Sequence, residues 1–187
     1  RHDDKWLAMT VLEETIPLQN GEDTTIVIRL THHGPIISDI HSLLRNDDTA
    51  MSMSWTGHWV TKEMDAWVGI NTMKNWDDFT KALKNFGVPG QNIVYADADG
   101  NIGWRPAVFI PVRKEGFSMV PRPGNDSQYD WKGKVPYSQM PYLFNPPGGY
   151  ISTANNKTIG DNFPYYISGL WADPSRAEQI KKRLDTL

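Results

Sequence analysis

Residues 75–89 limit the possible fold classes more than any other segment, because residues typical of the start and the end of a short amphipathic helix stand at its two ends. Asn75 is suited to cap the first turn, which also contains two aspartates, and Gly87 with Pro89 ends the helix. Apolar residues recur between these ends at helical spacing, namely Trp76, Phe79, Leu83 and Phe86. The segment therefore predicts a helix with one buried face.

A β-hairpin is predicted over residues 5–38, ahead of that helix. Residues 6–18 and 24–37 are rich in Thr, Val, Ile and Leu. Asn20-Gly21 lies between them and supplies the positive φ that a tight turn requires. Apolar Ile26, Ile28 and Leu30 alternate with more polar neighbours, so we expect one face of the hairpin to be buried.

A second hairpin is predicted after the helix. Residues 91–96 read as a buried strand, residues 102–111 as its partner, and residues 97–101 as the turn between them. A further strand is predicted over residues 51–55, which alternate apolar and polar side chains. Together with about three helices, these antiparallel strands predict an α+β fold.

The period becomes helical from Thr61, where four side chains share one face: Met64, Trp67, Val68 and Asn71. Core packing is the favoured explanation for the first and third of these. Two other segments are predicted to be loops, a solvated one at residues 45–48 and an ordered one over residues 113–139 that covers one side of a cleft.

Composition excludes several classes of function. Lys and Arg number 19 and Asp and Glu 22, which gives a net charge of −3 and no electrostatic reason to expect nucleic acid or an anionic membrane surface as a partner. The sequence has no apolar run long enough to span a bilayer, and we expect no membrane span or leader within it. The absence of cysteine excludes disulfides and thiolate metal sites.

Residues 145–156 form the first candidate for a functional site. Asn-Pro-Pro-Gly-Gly at 145–149 predicts a turn that leads into a short strand from Tyr150. The strand would end at Asn155 and Asn156, whose uncharged amide donors can stabilise an oxyanion that develops in a transition state. The alternative is that an Asn pair after a strand only forms a turn.

Arg176 is the second candidate. A helix is predicted to start with Asp173 as its cap and Pro174 in the first turn, with Ala177, Ile180 and Leu184 facing inward. Arg176 then places a cation where the helix dipole is positive, which costs up to about 1 kcal/mol. A surface salt bridge to a neighbouring acid is the ordinary explanation, and a functional contact elsewhere is the alternative.

Metal binding is not predicted. Adjacent residues on a strand point to opposite faces, so His32 and His33 are not expected to bind one ion together, and His33 is interpreted as anchoring a turn. The acidic turn at 97–101 lacks the Gly and Glu that a helix-loop-helix calcium loop needs at its sixth and twelfth positions, where Ile102 and Val108 stand.

The order of several motifs resembles the penicillin acylase family of N-terminal-nucleophile hydrolases. The motifs near the candidate site are Tyr95 to Gly103, Gly149-Tyr150-Ile151, Ala154-Asn155-Asn156, Leu170-Trp171 and Arg176-Ala177. Further similar positions are Lys5-Trp6, Glu13 to Ile16, Asn20-Gly21, His33-Gly34, Trp55 and Asn75-Trp76. The resemblance covers nearly the whole chain.

The resemblance implies part of an αββα sandwich and an amide hydrolase that works through an acyl-enzyme. It implies that Asn155 donates to the oxyanion, with Asn156 as the rival one position away, and that Arg176 orients this Asn. It also implies an acyl pocket that includes four residues of this chain: Trp67, Asn71, Gln91 and Asn92. The last two could instead satisfy backbone groups.

The family's nucleophile is an N-terminal residue, usually Ser, whose α-amino group acts as the base. This chain begins Arg1-His2, so it resembles an interior piece of the large chain, a single fragment over 1–187, and is expected to be inactive alone. Its implied partners are an amide substrate and the rest of the small and large chains. Family members are typically periplasmic or secreted. Many hold calcium, but the carboxylate expected before Trp171 has no clear counterpart, since Asp161 comes too early; no cofactor is therefore expected.

A different class of function stays open at this point. A module that binds a peptide, a glycan or another small ligand through exposed Trp and Tyr side chains would fit the eight tryptophans and seven tyrosines, as would a degenerate acylase homologue.

Overall fold

The computed structural model of the chain describes residues 1–42, 49–114 and 119–186. The loop predicted at 45–48 lies outside these residues, as does part of the one predicted over 113–139. The chain divides into two compact units, the first made of Arg1–His58 with Arg122–Asp130 and the second of Trp59–Pro121 with Trp131–Leu187. The described residues contain three α-helices and antiparallel sheets, so the predicted α+β class is confirmed.

The first unit contains the predicted N-terminal hairpin. Strands β1 (Thr10–Ile16) and β2 (Thr24–Thr31) pair antiparallel, with Thr10 opposite Leu30, and β3 (Gly34–Pro35) pairs with the end of β2. The prediction of one buried face is wrong for this chain. Every residue of β1 is exposed, and Ile26 in β2 is 39% exposed, while Ile28 and Leu30 are only half-buried.

The strand predicted over 51–55 is reduced to an isolated bridge between Ser52 and Ile36. Gly34 brings these segments close together. Its φ is +133°, and a Cβ built on it would lie 2.2 Å from the backbone oxygen of Met53. Only glycine tolerates both the conformation and the contact at this position.

Helices α1 (Glu63–Thr72) and α2 (Trp76–Leu83) form part of the second unit. The start predicted for α2 is confirmed, since the Asn75 side chain accepts a hydrogen bond from the backbone N–H of Asp78 over 2.9 Å. The helix ends at Leu83, before the stop predicted at Gly87. Its predicted apolar stripe is also confirmed, and Phe79 and Leu83 are each only 1% exposed.

The core packing predicted for Met64 and Val68 in α1 is wrong. These side chains are 74% and 62% exposed, whereas Ala66 is 1% exposed. A Cβ built on Gly69 would lie 2.8 Å from the Cβ of Ala82 in α2, so small side chains fill the contact between the helices. That close approach turns the larger side chains of α1 outward.

The second predicted hairpin consists of β4 (Gln91–Ala96) and β5 (Ile102–Ala107), with Tyr95 opposite Gly103. β4 is not the buried strand that was predicted, because only Tyr95 in it is buried. The partner ends earlier than expected, and residues after it form β6 (Pro111–Arg113), which pairs with β7 (Trp131–Lys134). β8 (Leu143–Phe144) adds to the other edge of β5.

The strand predicted from Tyr150 is not formed. Residues 150–153 have no ladder partner among the described residues, and the Tyr150 hydroxyl donates instead to Asp185 over 2.8 Å. Helix α3 (Ser175–Leu184) begins one residue later than predicted, with Pro174 rather than Asp173 at the N-cap position. The Asp173 carboxylate still accepts from the Ser175 N–H. Of the residues predicted to face inward, Ala177 and Leu184 are half-buried, but Ile180 is exposed.

Within the described residues, we found no helix whose length and hydropathy would let it cross a membrane.

Candidate active site

A cavity of about 460 Å³ lies within the second unit. Strands β4 and β5 supply Gln91, Asn92 and Trp104 to its wall, and residues 155–172 supply much of the rest. Apolar side chains dominate other parts of the lining, namely Val108, Ile110, Ile159, Ile167 and Leu170. An apolar cavity with a few polar groups is typical of sites that bind small molecules.

Asn155 lines this cavity from an irregular segment between Tyr150 and α3. Its φ is +59°, in the left-handed region that Asn occupies more readily than most residues. Its backbone carbonyl accepts a hydrogen bond from the N–H of Ala172 over 2.9 Å. The backbone at 155 is therefore held against the segment that leads into α3.

Arg176, in the first turn of α3, reaches back to the same segment. Its Nη2 donates to the side-chain Oδ1 of Asn155 over 2.7 Å and to the carbonyl of Ala154 over 2.5 Å. Among the ion pairs of the described residues none involves Arg176, so the surface salt bridge considered for it is not seen. These two bonds offset the cost of a cation near the positive end of the helix dipole.

The contact also fixes the orientation of the Asn155 amide. A guanidinium has only donors, so the group that faces it must be the amide oxygen. The Nδ2 group then points away from Arg176 with two N–H donors. No acceptor among the residues that the structure describes takes a hydrogen bond from it, and Asn155 is exposed, so these donors are accessible to solvent or to a ligand.

Asn156 differs from its neighbour, although it also lines the cavity. Its Oδ1 accepts from the backbone N–H of Ala154 over 3.0 Å, and its Nδ2 donates to the carbonyl of Lys157 over 3.1 Å. Both the oxygen and the nitrogen of this amide are therefore used to form the turn. Asn156 thus fits the alternative that an Asn pair after a strand only forms a turn.

The four residues predicted for an acyl pocket are divided between two places. Gln91 and Asn92 line the cavity, and Asn92 Oδ1 also accepts from the indole N–H of Trp104 over 2.9 Å. Trp67 and Asn71 do not line it. Asn71 Nδ2 donates to the carbonyl of Trp67 within α1, and the Trp67 ring packs edge-on against Phe86. A substrate role for these two stays a prediction.

The acidic residues considered for calcium are engaged in other contacts. The Asp97 carboxylate accepts from the backbone N–H groups of Asp99 and Asn101 and from the Tyr95 hydroxyl. The hydrogen bonds from Asn101 and Tyr95 lower the pKa of Asp97. Asp161 pairs with Lys157 on an exposed surface. Both carboxylates are therefore engaged in contacts within the protein.

The prediction for His32 and His33 rested on a wrong premise. β2 ends at Thr31, so both histidines lie in the turn before β3 rather than on a strand, and their ring centroids are 3.8 Å apart. His2 and Asp130 join them, and sequence reasoning missed both. No local signal could have found this cluster, because its members are up to 128 residues apart.

A sequence model described as penicillin amidase matches residues 1–187 of the chain. The chain belongs to the penicillin amidase family. It is 32% identical over 192 residues to the penicillin G acylase of Escherichia coli, and the aligned region covers 98% of this chain and 21% of that protein. It is 30% identical over 176 residues to the acyl-homoserine lactone acylase QuiP of Pseudomonas fluorescens, and the aligned region covers 94% of this chain and 22% of that protein.

A solved structure agrees with this assignment. A thermostable penicillin G acylase from Alcaligenes faecalis matches with a TM-score of 0.73 at 26% identity, over 97% of this chain and 33% of the other. The chain spans about a fifth of the length of the curated relatives named above. Much of each relative therefore has no counterpart in this sequence.

Proposed function

We propose that the protein to which this chain belongs hydrolyses a carboxamide through an acyl-enzyme. The attacking group would be an N-terminal Ser on a segment outside this sequence, with its own α-amino group as the base. The hydroxyl proton passes to this amine as the Ser oxygen attacks the carbonyl carbon, and the amine then gives the proton to the departing nitrogen. Water releases the acyl group in a second, equivalent round.

In this proposal, Asn155 donates from Nδ2 to the carbonyl oxygen as it becomes negative. The bond from Arg176 to Asn155 is the observation that carries the proposal, because it holds the amide with its donors free. A preorganised donor of this kind stabilises the transition state by roughly 3–4 kcal/mol. Arg176 would act as a positioning residue for this amide.

The apolar wall of the cavity supports an amide with an apolar portion as the substrate. The names of the two relatives make N-acylated β-lactams and acyl-homoserine lactones the candidates to test first. Gln91 and Asn92, as polar groups on the same wall, would then orient the substrate. We infer no cofactor for this reaction, and we further propose a periplasmic or secreted protein in which this chain assembles with the rest of the acylase.

A ligand-binding module built on exposed aromatics is less well supported. Several of the aromatic side chains pack against one another instead. Trp76 stacks on Phe144 with ring centroids 4.9 Å apart, and it also contacts Phe79 and Tyr95. Phe79 and Tyr95 are buried in the core of the second unit and Trp76 packs against that core, so these three rings are not available to bind a ligand.

The test uses the full-length processed protein and a panel of chromogenic amides. Asn155→Ala should lower kcat by about two to three orders of magnitude with a modest change in KM. Asn155→Gly is the matched variant, because glycine adopts the positive φ at this position without strain. If the effect comes from the lost donor, both variants are equally slow; a fast Asn155→Gly enzyme would show that only the turn matters.

Asn156→Ala separates the two neighbouring amides. We expect a smaller loss of kcat than for Asn155→Ala, since the Asn156 amide is engaged within its turn. The reverse ranking would transfer the proposed role to Asn156. This chain by itself is expected to show no turnover of any amide in the panel.

A further inference from the structure

Three histidines and one aspartate meet in the first unit from three separate segments of the chain. His2 Nε2 lies 3.0 Å from Oδ2 of Asp130, and His33 Nε2 lies 2.8 Å from Oδ1 of the same carboxylate. His32 Nε2 is 3.9 Å from that Oδ1. The three imidazoles therefore direct the same ring nitrogen toward one carboxylate.

Ordinary hydrogen bonding accounts for only part of this cluster. Asp130 can satisfy His2 and His33, but the distance of 3.9 Å is too long for a hydrogen bond from His32. The His32 ring nevertheless packs against both others, with centroids 4.2 Å from His2 and 3.8 Å from His33. A divalent cation among the four would explain why the third ring is there.

The donor set identifies the class of cation. One atom from each of the four residues can be chosen so that all lie within 4.8 Å of one another. Three imidazole nitrogens and one carboxylate oxygen form a four-coordinate set that Zn²⁺ accepts, whereas Ca²⁺ requires six or more oxygen ligands. Tetrahedral Zn²⁺ with bonds of about 2.05 Å needs donor atoms about 3.3 Å apart. The distances between the donor atoms must therefore shorten by at most about 1.5 Å.

Contacts within the first unit hold the three segments in place around the cluster. The N–H of Asp3 donates to the carbonyl of Asn125 over 2.7 Å, and the Asp3 carboxylate accepts from the N–H of Ser127 over 2.9 Å. The turn that carries His32 and His33 is fixed by Thr31, whose hydroxyl donates to the carbonyl of Gly34 and accepts from the N–H of His33.

We propose that His2, His32, His33 and Asp130 form a binding site for Zn²⁺. Four protein ligands leave no open coordination position, which is the arrangement of a structural rather than a catalytic zinc site. The ion would tie residue 2, the β2–β3 turn and residue 130 together. It would thus stabilise the first unit and take no part in the proposed amide hydrolysis.

The test is a Zn²⁺ titration of the full-length protein after chelator treatment, followed by calorimetry. His32→Gln is the most informative variant, because it removes one ligand without breaking a hydrogen bond to Asp130. His41→Gln is the matched control, since His41 is an exposed histidine outside the cluster. Other parts of the full-length protein can also bind zinc, so the readout is the difference between these variants.

We expect the wild type and His41→Gln to bind one more Zn²⁺ per chain than His32→Gln, or to bind that ion at least about tenfold more tightly. The reason is that loss of even a residue that only hydrogen-bonds to a ligand lowers metal affinity by about 10- to 100-fold. His2→Gln should behave like His32→Gln, and circular dichroism checks that each variant is folded. Co²⁺ bound to the wild type should give the visible absorption of a four-coordinate ion, reduced in His32→Gln. Identical binding by wild type, His32→Gln and His41→Gln would overturn the proposal.

Discussion

The carboxylate of Glu63, at the first residue of α1, accepts hydrogen bonds from the backbone N–H groups of Gly87 and Val88, each over 3.0 Å. The Thr61 hydroxyl donates to its other oxygen over 2.7 Å. One side chain thus joins the start of α1 to the chain just beyond α2. Burial by itself would raise the pKa of Glu63, but the hydrogen bonds from Thr61, Val88 and Gly87 outweigh it and lower that pKa to about 2.

This contact predicts a specific dependence on pH. Because the pKa of Glu63 is lower in the folded protein than its ordinary value of 4.5, its charge stabilises the folded state above pH 4.5. That contribution is lost as the pH falls from 4.5 toward about 2. Glu63→Gln keeps the shape and an acceptor oxygen but not the charge, so it should lack this part of the acid sensitivity.

Hydrogen–deuterium exchange of the peptide around Gly87 and Val88 is the measurement. As the pH is lowered from 4.5 toward about 2, this peptide should lose protection from exchange in the wild type. It should lose less protection in Glu63→Gln over the same range. Asp77→Asn removes an acid from the first turn of α2 and serves as the control for a general loss of negative charge. Parallel pH profiles for wild type and Glu63→Gln would contradict the prediction.

Predictions from sequence were most accurate where the determining contacts are local. The cap at Asn75 and the two hairpins depend on residues within a few positions of each other, and all of them are formed, although α2 ends at Leu83 rather than at the predicted stop. The buried face of α1 was mistaken because it depends on Gly69 meeting Ala82, a contact that residue type alone does not indicate.

The candidate site was predictable to a similar extent. The resemblance drew attention to Asn155 and Arg176, and the structure joins the two side chains. The positive φ of Asn155 and the bond from Ala172 to its carbonyl could not be predicted, because they depend on how two irregular segments meet. The histidine cluster escaped detection for the same reason, since it assembles from three distant segments.

Gly103 in β5 provides a second prediction, on stability. A Cβ built at this position would lie 2.2 Å from the Trp76 ring, which is itself held by its stacking on Phe144. Gly103→Ala should therefore destabilise the second unit by about 1–3 kcal/mol through overpacking. Gly148→Ala is the matched control, because its nearest neighbour in the described structure, a Tyr150 ring carbon, is 4.0 Å away.

Thermal unfolding of both glycine variants, together with hydrogen exchange in β4 and β5, would measure the difference. Gly103→Ala should lower the unfolding temperature and raise exchange in this hairpin, while Gly148→Ala should change either quantity little. Equal stability of the two variants would mean that Trp76 can move aside more easily than its packing indicates.

The last prediction concerns the coupling between Arg176 and Asn155 in the full-length enzyme. Arg176→Ala removes the donor that fixes the Asn155 amide, so kcat should fall, but by no more than the roughly 10²- to 10³-fold expected for loss of the oxyanion donor itself. Because the two residues act as one unit, the double variant with Asn155→Ala should be no slower than Asn155→Ala alone.

Arg183→Ala, which removes an exposed cation from the last turn of α3, is the matched control and should leave kcat unchanged. Additive losses in kcat for the two single variants would instead mean that Arg176 contributes independently of Asn155, through its charge or through the fold.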